Sequence, residues 1–217
     1  MEKQNHNAPL VSPRKRNKET AKAELIKAVG KVLVEDGYVG LKIGNVARHA
    51  GYDDNLVRSY FGSFDNLLDH YLASKDFWTP VFQNVAVLTD TTTKAELQGF
   101  LTSIFSNLLD SLVADVEMQQ LMLWNISESV PSLKDLETPW EEQMSRVVSV
   151  SNCKSETELR AFLALLYGGI RTNVFAGSVG VSLFGKLDVT NEQDLKEMHE
   201  IVGFLIDHAI RNLGAKT

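Results

Sequence analysis

Asn55, Arg58, Ser59 and Tyr60 bring an amide, a guanidinium and two hydroxyls into one short stretch, HAGYDDNLVRSYFGS (His49–Ser63). Groups of this kind donate to base edges and to phosphate oxygens. The same stretch opens with two adjacent carboxylates, Asp53 and Asp54. Carboxylates repel phosphate, so the chemistry on offer is polyanion recognition with an internal conflict.

Other chemistry finds little support. The five histidines show no metal-ligand spacing with other donors, and the single cysteine, Cys153, excludes an internal disulfide and a multi-cysteine zinc site. Glu141-Glu142 and Glu156/Glu158 fall at expected helix starts, where carboxylates complement the backbone dipole. There is no phosphate-cradling glycine loop and no nucleophile elbow. The chain reads as a non-enzyme with no cofactor and no metal.

The elements that must position the polyanion-binding groups are helices. In ETAKAELIKAVGKVLVEDGYVG, Ala21, Leu25, Val29, Val32 and Leu33 recur at helical spacing, and Gly37 stops the run. A short second helix, LKIGNVARHAG, presents Ile43, Val46, Ala47 and Ala50 on one face. Gly51 supplies the positive φ of a tight turn, and Asp53 is a plausible N-cap for a third helix running to about Tyr60. Ser63 caps a fourth from about Phe64. Three short helices with a glycine turn between the second and third make a helix-turn-helix unit.

Charge agrees with this. The net charge is −6. Residues 1–64 carry 11 Lys/Arg and 7 Asp/Glu, hence +4, and residues 65–217 carry 11 and 21, hence −10. A basic head on an acidic body suits a polyanionic partner. The run PRKRNK (Pro13–Lys18) reads as part of a disordered basic arm over residues 1–17, with Arg14, Lys15 and Arg16 available to phosphates or a minor groove.

These residues resemble the TetR family of bacterial transcriptional regulators over about Leu25–Leu68. LIKAVGKVLVEDGY is similar to that family's first helix, IGNVARHAGY to its second helix and turn, and LVRSYFGSFDNLL to its third helix and the start of its fourth. The resemblance implies that Asn55, Leu56 and Ser59 face the groove, while Lys42, Arg58 and Tyr60 meet phosphate or a base edge. Asp54 would either accept from a cytosine amino group or weaken phosphate approach. The chain departs from the family's common residues at Lys42 (Thr or Ser), Asp53 (Ser), Arg58 (Tyr) and Phe64 (Lys). Asp53 and Phe64 each give up a phosphate contact.

The remainder is helical too, with expected helices over roughly 94–113, 115–129, 139–151, 155–178 and 191–213. Thr93–Glu96, Ser155–Glu158 and Thr190–Gln193 have capping-box spacing. LRAFLALLYGGIRTNVFAGSVG is apolar on most faces, so a second subunit is its expected cover. Leu166, Gly169, Ile170 and Val174, with Val202, Leu205, Ile206 and Ala209 of the last helix, form the expected dimer interface. Trp78, Phe105, Trp124 and Trp140 are candidate linings of an effector pocket, although aromatics at helical spacing equally serve as core.

The reading is thus an all-α chain. Residues 18–64 form a three-helix helix-turn-helix DNA-binding head, and 65–217 a larger helical ligand-binding and dimerisation domain. It would act in the cytoplasm as a homodimer on a pseudo-palindromic double-stranded DNA operator. It would function as a repressor released by a small-molecule effector, with no signal peptide and no membrane span. The alternative is a helical ligand- or protein-binding dimer whose head no longer reads DNA well.

Overall fold

The computed structural model describes residues 17–181, 183 and 187–212, together with the backbone of 13–16. The described residues form ten α-helices and no strand, with one isolated bridge between Leu183 and Leu187. They divide into two compact units, Met1–Lys75 and Asp76–Thr217.

The first unit holds α1 (Pro13–Asp36), α2 (Ile43–Ala50), α3 (Asp54–Phe61) and α4 (Phe64–Ala73). The helix α1 buries Ala21, Leu25, Ala28, Val29, Val32 and Leu33. Val46 and Ala47 of α2, Val57 and Phe61 of α3, and Leu67, Leu68 and Tyr71 of α4 complete that core. Two expectations shift here. Residues 13–17 of the expected arm are helical, because α1 begins at Pro13, and residues 1–12 lie outside the described residues. Proline suits the first helical position and Lys/Arg are good helix formers, so the basic run continues the helix. The side chains of Arg14, Lys15 and Arg16 lie outside the described residues. The division between units also falls after α4 instead of at residue 64, because α4 packs on α1 and α3.

The second unit holds α5 (Thr79–Phe82), α6 (Lys94–Ala114), α7 (Val116–Ser127), α8 (Thr138–Val150), α9 (Glu156–Ser178) and α10 (Glu192–Asn212). The helix α6 is its axis and packs against α5, α7, α9 and α10. Leu101, Ile104, Phe105, Leu108, Leu109 and Leu112 of α6 are fully buried. The Thr93–Glu96 capping box is present, and Ser155 accepts from the Glu158 amide at 3.2 Å. At the start of α10 the cap is Asn191, not Thr190: Asn191 accepts from the Gln193 and Asp194 amides, while the Thr190 hydroxyl donates to Asp188.

The expected dimer residues separate into two groups. Leu166, Ile170, Val174, Val202 and Ile206 are buried within the second unit itself. Ala209 is half-buried, and Gly169 and Leu205 are exposed. The apolar residues that α9 and α10 leave in solvent include Leu165 at 78% exposure, Phe204 at 63% and Ile201 at 53%. Leu165 and Ile201 line a groove of about 380 Å³ that also includes Phe162, Gly169 and Leu205. Helical periodicity marks every apolar position alike; packing against α6, and for α9 also α7 and α8, separates the inner stripe from the outer one.

Candidate functional site

The candidate interface is built on α3. Gly51 ends α2 in the left-handed region, with φ 78°. The Tyr52 amide donates back to Ala47 and the Gly51 amide to Arg48, closing the carbonyl end of α2. One residue later, an Asp53 carboxylate oxygen accepts from the Asn55 amide at 2.8 Å and from the Asn55 side-chain nitrogen at 2.7 Å. These bonds, the backbone one first, hold the Asp53 carboxyl below its ordinary range. The turn and the cap together set the start and direction of α3.

On α3, Val57 and Phe61 face the core, while Asp54, Asn55, Arg58 and Ser59 share the exposed side. Leu56 and Tyr60 are half-buried flanks, and Lys42 is exposed at the start of α2. The sequence-derived set on α3 is therefore gathered on one surface. Asp54 stands at its N-terminal end and Arg58 and Tyr60 near its C-terminal end.

Several contacts were not foreseen from sequence. The Tyr52 hydroxyl donates to Glu24, tying the turn to α1, and this bond raises the Tyr52 pKa. His49 lies 3.3 Å from Asp36 and 3.6 Å from Glu35, fastening α2 to the end of α1. The Lys18 ammonium lies 5.4 Å from the Tyr60 ring centroid, and that of Lys22 lies 5.7 Å from Phe61. Pairs this far apart in sequence leave no local signal.

In the second unit, three of the four candidate pocket aromatics meet. Trp140 stacks on Trp78 at 6.1 Å and takes Phe105 edge-on at 5.2 Å. A fourth ring absent from the expectation, Tyr167, stacks on Trp140 at 4.8 Å. Trp78, Phe105 and Trp140 are buried, so these rings fill the core. Trp124 is half-exposed, its indole N–H donating to Glu128 at 3.1 Å.

Buried polar groups border the rings. Glu137 accepts from the Tyr167 hydroxyl at 2.7 Å and from Arg171 at 2.9 Å. The Arg171 guanidinium lies 4.8 Å from the Tyr167 ring centroid and 5.6 Å from that of Phe175. Burial pushes the Tyr167 hydroxyl well above its ordinary pKa, partly opposed by Arg171. Beside this cluster, α8 and α9 enclose a cleft of about 310 Å³. Trp140, Met144, Val148, Leu163 and Tyr167 line it, with Glu141 and Arg160 among its charged residues.

Among the described residues there is no group of three or more His, Cys, Asp or Glu that could hold a metal ion. No helix among them is long and apolar enough to cross a membrane.

No family model matches the chain. It is 28% identical over 124 residues to the HTH-type transcriptional regulator BetI of Burkholderia thailandensis, covering 55% of this chain and 61% of that protein. The BetI regulator of Burkholderia mallei matches with the same figures. The chain thus spans about three fifths of the length of the curated relatives it matches. Among solved structures, a TetR family protein from Vibrio parahaemolyticus superposes with a TM-score of 0.55 at 13% identity. That match covers 85% of this chain and 97% of the other. The chain has the all-helical TetR-family fold.

Proposed function

We propose that this chain is a TetR-type transcriptional regulator that binds DNA through α3 and acts as a ligand-responsive repressor. One observation carries the reading. A capped, glycine-turned helix presents Asn55, Arg58 and Ser59 on one exposed face, with Lys42 exposed at the start of α2. Asparagine pairs with adenine in a major groove, while arginine meets phosphate or a base edge and lysine meets phosphate. The two Burkholderia relatives, both named as HTH-type transcriptional regulators, support the same reading.

The operator would be pseudo-palindromic, with two α3 helices in successive major grooves of one duplex face. The exposed stripe of Leu165, Ile201, Phe204 and Leu205 supports a homodimer, because an apolar face of this kind is stabilised by a matching face. The cleft lined by Trp140 and Tyr167 is the proposed effector site, suited to a molecule with an apolar body. An effector bound there would shift the dimer towards a head spacing that no longer fits both half-sites.

Selection of genomic DNA fragments by the purified chain, followed by fluorescence anisotropy over a salt series, tests this. One fragment should bind specifically, with log affinity falling linearly against log salt. An intact dimer that binds no fragment at low salt would defeat the reading. The exposed Asp54 favours a second reading, a helical ligand- or protein-binding dimer with a weak DNA head. Under it, Asp54→Lys would create DNA binding where the native chain has none.

A further inference from the structure

We infer that α1 carries a second phosphate-binding element, formed by Lys18 and Lys22 seated on the aromatic pair Tyr60–Phe61. The inference rests on the DNA-binding reading above. The two lysines are one helical turn apart on α1, so their side chains share a face. Each ammonium lies over a ring at the C-terminal end of α3, at 5.4 Å and 5.7 Å. Contacts of this length are attractive and hold the long side chains in place.

Among the described residues neither lysine is ion-paired, so both charges are open to an external anion. On the same helix Glu24 accepts from the Tyr52 hydroxyl, and Glu19 is exposed. The Lys18 ammonium lies over the Tyr60 ring, and Arg58 lies two residues before that tyrosine. The positive charge is therefore concentrated at the C-terminal end of α3 and the adjoining stretch of α1. The carboxylate of Asp54 stands at the other end, about 10 Å away along the helix axis.

This polarity gives the two ends different partners. The end bearing Asp54 and Asn55 suits base edges, where acceptors and amides discriminate. The end bearing Arg58, Tyr60, Lys18 and Lys22 suits the phosphodiester backbone, which needs cations and hydroxyl donors. A rigid helical ridge also differs from a flexible basic arm. Its cations are held against α3 and follow one strand of the backbone.

The test uses the full-length chain and the genomic fragment it selects. Anisotropy titrations at several salt concentrations compare the native chain with Lys18→Gln, Lys22→Gln and the double variant. Lys27→Gln, on the opposite side of α1, is the control. Each lost phosphate contact should flatten the salt slope by about 0.9 and weaken every DNA sequence by a similar factor. Native binding with an unchanged slope in the double variant overturns the ridge while leaving the DNA-binding reading intact. A native chain that binds no DNA overturns both. A double variant that loses base preference at an unchanged slope also overturns the ridge, because the lysines would then be reading bases.

Discussion

Arg171 donates to Glu137 at 2.9 Å across the gap between α9 and the residue preceding α8, and both side chains are largely buried. The same carboxylate oxygen accepts from Tyr167, whose ring stacks on Trp140. One ion pair therefore fixes the wall of the α8–α9 cleft. Removing half of it leaves a buried, uncompensated charge. Glu137→Ala should lower stability by about 3 kcal/mol, and Glu137→Leu with Arg171→Met should recover much of that loss. Urea unfolding followed by tryptophan fluorescence measures both.

Tyr167 provides a pH signature. Burial raises its pKa in the folded chain above that of a free tyrosine. The stabilisation is complete below the unfolded tyrosine's pKa and is lost as pH rises towards the folded value. Unfolding free energy should thus fall above about pH 10, by up to roughly 1.4 kcal/mol per pH unit for this group. In Tyr167→Phe that slope should be shallower in urea melts at pH 9 to 11.

Asp54 tests the division of labour along α3. The N-terminal residues of a recognition helix meet base edges, and a carboxylate there can accept from a cytosine amino group. Asp54→Ala should relax discrimination at one base pair by about 1–3 kcal/mol, measured by binding to a panel of single-base operator variants. Equal tightening on every variant would show instead that Asp54 only repels phosphate.

The two apolar stripes of α9 and α10 should respond differently. Leu165→Glu or Phe204→Glu on the exposed stripe should give folded monomers in sedimentation velocity, with helical content retained. Ile206→Ala, at a fully buried position, should cost about 2–5 kcal/mol in unfolding and leave the exposed stripe untouched.

Much of the head was legible because its determinants are local. Gly51 turns with positive φ, Asp53 caps α3, and Ser63 caps α4, each through groups within three residues of one another. Asp53 is accordingly accounted for as a cap, and the conflict in the opening stretch narrows to Asp54 alone. The aromatic pocket was only partly legible. Trp78, Phe105 and Trp140 meet in one core, and Tyr167, which carries no local signal, joins them there. Ring stacking depends on which helices adjoin, and no spacing rule along the chain encodes that.

The sequence by itself determined the all-helical class, the helix-turn-helix frame and most helix ends, because 3.6-residue periodicity and capping act over a few residues. Only the tertiary structure decided which apolar stripe of α9 and α10 turns inward, where α4 belongs, and which groups Glu137 joins. It also brought Lys18 and Lys22 onto Tyr60 and Phe61. Those outcomes rest on contacts between helices tens of residues apart, where burial and charge pairing are settled by which surfaces meet.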